Sequence, residues 1–181
     1  ICPPHYMGLI AMHRTTGDPR YLAIAKRVFD MRALLEAGTD DNQDRIPFRR
    51  QRCAMGHAVR ANYYYAGAAD IYAETGDRSL LESLEPIWQN VATQKMYVTG
   101  ATGALYDGVS PYGGEKHDEI QRTHQAYGLE YQLPNLTAYN ETCAAIDAGA
   151  HIATRSGAMP APSWVQPPAA ISASRRSTSA V

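Results

Sequence analysis

The segment Glu141-Thr142-Cys143 carries two side chains whose types suit metal binding. A glutamate oxygen and a cysteine thiolate are both accepted by zinc as ligands in proteins. Side chains two residues apart diverge on an ideal helix but share one face of an extended segment. The pair can therefore converge on a metal only where Glu141 lies just outside a helix that Cys143 opens.

The cysteines of the chain, Cys2, Cys53 and Cys143, are widely spaced and odd in number. Because no two of them form a Cys-x-x-Cys pair, the sequence argues against a disulfide framework and against a self-contained structural zinc site. For Cys2 and Cys53 we expect the role of a small, buried apolar residue.

Three further groups of side chains could bind ligands. His57, taken alone, is interpreted as a histidine on a helix face that makes a buried hydrogen bond. The tyrosines at positions 63–65 and Trp88 could stack on sugar rings, although Trp88 falls on an apolar stripe that favours core packing. The acidic run from Asp40 to Asp44 lacks the spacing of an EF-hand loop. We therefore expect residues 38–50 to form a solvated connection.

The elements that must position these residues are indicated by an internal repeat, TGDPRYL at positions 16–22 and TGDRSLL at positions 75–81. A glycine at Gly17 or Gly76 can end a helix in the left-handed conformation. The carboxylate of Asp18 or Asp77 then caps the next helix. Pro19 suits the first helical position, where no N–H group is needed.

The apolar residues that follow each Gly-Asp junction recur at helical spacing: Tyr21, Leu22, Ala25, Val28 and Phe29, then Leu80, Leu81, Leu84, Ile87, Trp88 and Val91. Helical stretches also precede the junctions, roughly at positions 5–15 and 53–74. The unit is a pair of antiparallel helices repeated after about 60 residues, which is too long for most thin solenoids. The pattern predicts an all-α partial toroid with about two hairpins and one further helix near Cys143.

The stretch at positions 97–132 is rich in glycine, tyrosine and polar residues, and we interpret it as a long functional loop. Beyond Ile146, alanine, serine, proline and arginine dominate as far as Val181. Such a composition cannot continue a helix or bury a core. We expect residues 1–146 to form part of a helical barrel, and residues 147–181 to be either a disordered tail or the product of a lost reading frame.

The net charge of −1 gives no electrostatic reason to expect nucleic acid or an anionic membrane as a partner. No apolar run approaches the roughly 20 residues needed to cross a bilayer. The N-terminal residues Ile1-Cys2-Pro3-Pro4 show neither an initiator methionine nor a signal-peptide pattern. They are typical of the middle of a longer product, so the sequence leaves the compartment open.

Three segments together resemble a known enzyme family: GHAVRA at 56–61, KMYVTG at 95–100 and LPNLTAYNETCA at 133–144. In this order they are similar to the active-site segments of the β-L-arabinofuranosidase family of glycoside hydrolases. The resemblance covers roughly Pro3 to Ile146. It implies an (α/α)6 barrel, followed by β-domains in the family, and an arabinose-containing glycan as the partner of the parent protein.

The family's mechanism, as the resemblance implies it, uses zinc held by one glutamate and three cysteines. One cysteine attacks the anomeric carbon, and a second glutamate is the general acid and base of a retaining reaction. Glu141 and Cys143 match the zinc-binding glutamate and the first cysteine. Because no cysteine follows Cys143, the nucleophile and two zinc ligands are missing, and we expect zinc binding to be weak or absent in this chain.

The family's acid/base position falls on Gln125. A side-chain amide cannot act as the general acid or the general base of the reaction. Glu119, Glu130 or His124 could substitute, or a different acid could be used. His57 matches a sugar-contacting histidine of the family, and His5 matches a pocket histidine more loosely.

Two hypotheses remain. The leading one is a fragment of a retaining, zinc- and cysteine-dependent glycoside hydrolase for β-L-arabinofuranosides or related sugars, inactive as it stands. The alternative is a non-catalytic helical-repeat module that binds carbohydrate or protein. Under either one, a partial toroid exposes the apolar sides of its terminal hairpins, and we expect self-association there.

Overall fold

The computed structural model describes residues 5–110 and 121–145. Its helices and strands are α1 (His5–Thr16), α2 (Pro19–Met31), α3 (Ala58–Thr75), α4 (Arg78–Asn90), β1 (Leu105–Val109) and β2 (Arg122–Ala126). Short 3-10 turns lie at Arg32–Leu34 and Phe48–Arg50, and a π turn at Val91–Lys95. A helical turn covers positions 142–145. The predicted all-α class is confirmed, while the expectations for Cys2, Glu119 and the tail lie outside the described residues.

Both Gly-Asp junctions form as the sequence predicts. Gly17 and Gly76 have φ angles of 71° and 68°, the left-handed conformation that ends α1 and α3. The carboxylates of Asp18 and Asp77 accept hydrogen bonds of 2.9 and 3.1 Å from the backbone N–H two residues on. Because each turn is tight, each hairpin places two antiparallel helices side by side.

Helices α1 and α3 run parallel to each other. Near the start of α1, the side chain of Tyr6 lies against Gly67. Near its end, Arg14 donates hydrogen bonds to Asp70 (3.1 Å) and Glu74 (2.5 Å). Because these contacts follow the same order along both helices, α1 and α3 point in the same direction. Helices α2 and α4 run in the opposite direction, back from the tight turns. We call α1 and α3 the inner helices and α2 and α4 the outer helices of this partial α/α toroid.

The core contains a cluster of aromatic rings from both hairpins and the segment between them. The ring of Tyr64 lies 4.7 Å from that of Phe29 and 5.2 Å from that of Phe48, and the guanidinium of Arg32 lies 4.5 Å from its centre. Tyr65 is also buried. These two tyrosines therefore pack in the core and offer no face to a sugar, and Trp88 packs against the same core, as its apolar stripe predicts.

The expectation of a solvated connection at positions 38–50 is wrong. Asp40 and Gln43 have 0% exposure, and Phe48 has 2%. The Asp40 carboxylate accepts hydrogen bonds from Arg45 Nε (2.7 Å) and from the hydroxyl of Ser110. A buried carboxylate is tolerated because it is paired and hydrogen-bonded, and one of its partners lies far along the chain, which the local composition could not show.

The stretch at 97–132, predicted to be a loop, contains the antiparallel pair β1 and β2. In its register Leu105 lies opposite Ala126 and Val109 opposite Arg122. Neither strand shows an alternating apolar pattern, so neither could be predicted from its residues. None of the described helices is long and apolar enough to span a bilayer.

Candidate sugar-binding site

His57 lies at the start of α3, where three segments meet. Its backbone N–H donates to the carbonyl of Asp41 (3.3 Å), and its backbone pairs with Ala126 at the end of β2. The neighbouring carbonyl of Gly56 accepts a hydrogen bond of 3.0 Å from the N–H of Tyr127. The polar segment 38–50 and the strand β2 therefore fix the position from which the His57 ring extends.

A chain of hydrogen bonds lies beside this histidine. Gln125 Nε2 donates to the hydroxyl of Tyr139 at 2.8 Å, and that hydroxyl donates to Glu141 Oε1 at 2.6 Å. The His57 ring also interacts with the side chain of Gln125. Tyr139 thus links Gln125 to Glu141 through hydrogen bonds. The sequence had indicated Gln125 and Glu141 as site residues, but not Tyr139.

Backbone strain accompanies this arrangement. Gln125 and Asn140 have φ angles of 50° and 49°, in the left-handed region that non-glycine residues seldom adopt. Gln43, with a φ of 58°, points its amide nitrogen at the carbonyls of Asp41 (2.9 Å) and His57 (3.4 Å). Such conformations persist only where the surroundings enforce them, and they concentrate at functional sites.

Glu141 is positioned by the turn that follows it. The helical turn begins at Thr142, and the N–H of Ala145 donates to the carbonyl of Glu141 at 3.2 Å. Glu141 therefore lies just outside the turn that carries Cys143, which is the arrangement that convergence of the two side chains requires.

The same segment is anchored in the core by Asn62 of α3. Its Nδ2 donates to the carbonyl of Ala144 at 2.8 Å, and its Oδ1 accepts from the hydroxyl of Tyr127 at 2.7 Å. The inner helix thus holds both the segment that follows β2 and the turn after Glu141.

The electrostatics of the site keep the side chains of His57 and Tyr139 in their neutral forms. Burial lowers the pKa of His57 below its ordinary value, and the Arg60 cation lowers it further, against the opposing effects of Asp41 and Glu141. The imidazole is therefore uncharged at neutral pH and can both donate and accept. The hydrogen bond to Glu141 raises the pKa of Tyr139, so the phenol keeps its proton.

The donor set for zinc is incomplete among the described residues. Oε1 of Glu141 already accepts the Tyr139 hydroxyl, and the Cys143 side chain is exposed. Within residues 5–110 and 121–145, no three His, Cys, Asp or Glu side chains lie close enough together to hold a metal ion. Zinc sites in proteins use at least three protein ligands, so Glu141 and Cys143 do not fit a zinc site by themselves.

The other predicted residues lie as follows. His5 opens α1 with its ring 4.3 Å from that of Tyr6, whose side chain lies against Gly67 in the middle of α3. His124 is exposed, and its ring lies 3.7 Å from the carboxylate of Asp107. Glu130 lies 3.7 Å from the ammonium of Lys95. Cys53, expected to be buried, is half-buried.

The residues that sequence reasoning missed are Tyr139, Asn62, Asp41 and Arg60. Oδ2 of Asp41 accepts from Arg60 Nη1 at 2.8 Å, and its Oδ1 accepts from the N–H of His124 at 3.0 Å. Tyr139 precedes Glu141 by two residues, but Asn140 between them has a left-handed φ of 49°, so no local pattern predicted that their side chains would meet.

Comparison with known proteins identifies the family of the chain. Residues 1–153 match the family model described as β-L-arabinofuranosidase, GH127 catalytic domain. The chain belongs to this family. A non-reducing end β-L-arabinofuranosidase of Bifidobacterium longum subsp. longum is 30% identical over 165 residues, which cover 80% of this chain and 23% of that protein.

Solved structures of glycoside hydrolases also superpose on the chain. One glycoside hydrolase gives a TM-score of 0.79 at 61% identity, covering 83% of this chain and 25% of that one. A GH127 β-L-arabinofuranosidase from Geobacillus stearothermophilus T6 gives 0.69 at 27% identity, covering 82% and 24%. The chain therefore spans about a quarter of the length of its GH127 relatives.

Proposed function

We propose that this chain forms part of the sugar-binding site of a glycoside hydrolase that acts on β-L-arabinofuranosides or related sugars. We further propose that the chain as it stands binds such a sugar without hydrolysing it. The observation that carries the proposal is the chain of hydrogen bonds Gln125–Tyr139–Glu141 beside His57.

Sugar hydroxyls both donate and accept hydrogen bonds, and the site offers groups of both kinds. Burial keeps the imidazole of His57 neutral, so it carries one donor and one acceptor nitrogen. Oε1 of Glu141 is held by Tyr139, which leaves its second oxygen to face a ligand. Groups that are fixed before binding lose little entropy when the sugar arrives.

Hydrolysis needs groups that this chain does not supply. General acid catalysis requires a side chain that releases a proton to the departing oxygen, and the amide of Gln125 cannot do so. The family resemblance implies a cysteine nucleophile beyond Cys143, and the sequence has no cysteine there. Each loss removes orders of magnitude in rate.

For zinc we expect weak binding at best, because two donors form half of a site. Equilibrium dialysis of the reduced chain against zinc measures the stoichiometry, with Cys143→Ser as the test variant and Cys53→Ser as the matched control. Tight stoichiometric zinc that survives Cys143→Ser would contradict the assignment of Cys143 as a metal ligand.

The binding proposal is tested by titrating the ¹⁵N-labelled chain with methyl β-L-arabinofuranoside. Chemical shifts should change around His57, Gln125 and Glu141, and His57→Ala should abolish the changes. His13→Ala, near the other end of α1, is the matched control and should leave them intact. Absence of any response in the wild-type chain would favour the alternative, a helical-repeat module that binds another ligand.

The catalytic half of the proposal is tested with an aryl β-L-arabinofuranoside, zinc and a reductant. We expect no turnover. Turnover that Cys143→Ala abolishes would show that Cys143 is itself the nucleophile and that the chain is an active enzyme.

A further inference from the structure

Tyr106 is a large aromatic residue exposed beside the site. The register of the strands, with Leu105 opposite Ala126 and Asp107 opposite His124, places Tyr106 opposite Gln125. Its exposed fraction is 64%. Exposure of so large an apolar ring next to a cluster of polar groups is the kind of feature that marks a binding surface.

The ring of Tyr106 is not isolated. Its centre lies 5.2 Å from that of the Tyr139 ring, with an angle of 49° between the planes. The hydroxyl of Tyr139 is held at the same time by Gln125 (2.8 Å) and Glu141 (2.6 Å). The hydrogen bonds of the site therefore fix one ring, and that ring supports the exposed one.

A sugar presents polar hydroxyls at its edge and C–H groups on its face. The hydroxyls suit His57, Gln125 and Glu141, which lie together. The C–H groups carry partial positive charge and are attracted by the negative face of an aromatic ring. A surface that continues from polar groups to an exposed aromatic ring matches a chain of two sugars better than a single one.

We propose that Tyr106, supported by Tyr139, binds the second sugar of a glycan whose first sugar contacts His57 and Glu141. This inference rests on the proposed function and adds a residue that determines preference for the length of the glycan. Tyr106 is a binding residue here, and it takes no part in bond cleavage.

The test compares two ligands, methyl β-L-arabinofuranoside and a disaccharide of L-arabinofuranose with a β linkage, by NMR titration of the full chain. Tyr106→Ala should weaken binding of the disaccharide by roughly three- to tenfold, the worth of one aromatic contact. Binding of the methyl glycoside should stay within about twofold of wild type, since it does not reach the ring. Tyr106→Phe keeps the ring and should bind both ligands like wild type.

Tyr131→Ala is the matched control, because Tyr131 is 70% exposed and lies outside the hydrogen-bonded chain. If the wild-type chain binds neither ligand, the proposed function fails, and this inference with it. If the wild-type chain binds both and Tyr106→Ala binds the disaccharide equally well, only the inference is overturned. An equal loss for both ligands would also overturn it, because the ring would then contact the first sugar.

Discussion

Asn62 connects two segments of the candidate site to the core. Its exposed fraction is 2%, and its amide bonds to the carbonyl of Ala144 and to the hydroxyl of Tyr127. An amide has both a donor and an acceptor end, so it satisfies a buried carbonyl and a buried hydroxyl together. An aspartate or a leucine of similar size could not do both.

Replacement of this residue should therefore cost stability. Asn62→Ala removes the buried hydrogen bonds that this side chain makes with the Tyr127 hydroxyl and the Ala144 carbonyl, a loss of about 1–3 kcal/mol. Urea unfolding measures the change in the free energy of unfolding. The exposed Asn135→Ala is the control and should change it by less than about 0.5 kcal/mol; equal effects of both substitutions would show that the bonds of Asn62 contribute nothing.

The sequence alone could point to His57 and Glu141, because each lies in a short segment that resembles the family, and to Gln125, because the family's acid/base position falls on it. It could not point to Asn62, whose partners Tyr127 and Ala144 lie 65 and 82 residues further along the chain. The roles of the family residues stay predictions until binding is measured.

At the scale of elements, Asp77 joins the second hairpin to the polar segment before α3. Its carboxylate caps α4 through Ser79 and lies 3.0 Å from the guanidinium of Arg49. These hydrogen bonds, that of Ser79 first, lower the pKa of Asp77 below its ordinary 3.8. The folded state thus favours the charged carboxylate more than the unfolded state does.

The stabilisation by Asp77 should consequently depend on pH. Since its folded-state pKa is depressed, the contribution is complete above the unfolded-state value and is lost as pH falls through the lower folded-state value. Asp77→Ala should cost about 1 kcal/mol at neutral pH, as loss of a helix cap does. Thermal unfolding of both chains from pH 7 to pH 2 should show the difference shrinking in acid; a constant difference would mean that the charge of Asp77 plays no part.

The inner helices meet at a glycine. A Cβ atom at Gly67 would lie 2.9 Å from Cβ of Tyr6, whereas a Cβ at Gly8 would meet nothing within 4 Å. Both glycines lie inside helices, so alanine has the same helical advantage at both. Only the contact with α1 distinguishes the two positions.

The two alanine substitutions should therefore change the free energy of unfolding in opposite directions. Gly67→Ala should destabilise by about 1–3 kcal/mol, because the inner helices must separate or shift. Gly8→Ala should stabilise by roughly 0.5–1 kcal/mol, because it lowers the entropy of the unfolded chain. Chemical unfolding of both variants measures the signs, and a stabilising Gly67→Ala would contradict the close packing of α1 on α3.

The elements could be predicted where their causes are local. The Gly-Asp junctions need only a glycine and a capping carboxylate side by side, so both hairpins followed from the sequence. The strands β1 and β2 depend on each other across a long connection, and residues 38–50 are buried by partners on other segments. Neither cause is visible in a window of local sequence.

For the molecule as a whole, apolar side chains on the first hairpin face solvent. The exposed residues on and after α1 and α2 are Met12, Ile24, Met31, Leu34 and Leu35, with exposed fractions between 43% and 77%. In a closed toroid the neighbouring hairpins cover such surfaces. We expect the predicted self-association to take place through these exposed apolar side chains.

The double variant Leu34→Glu, Leu35→Glu should weaken self-association, since two charges cannot be buried in an apolar contact without a large cost. Sedimentation velocity over a range of concentrations measures the effect. Val98→Glu is the matched control, because Val98 is fully exposed in a turn after α4. A wild-type chain that stays monomeric at all concentrations would refute the prediction.

The parallel order of the inner helices also has an electrical consequence. Peptide dipoles add along each helix and place about half a positive charge at its N-terminus. Helix α3 begins directly after His57, so its field favours negative groups there, such as the carboxylate of Asp41. Each further inner helix of a closed ring, pointing the same way, would add to that field, and this chain supplies two of the six inner helices of an (α/α)6 ring.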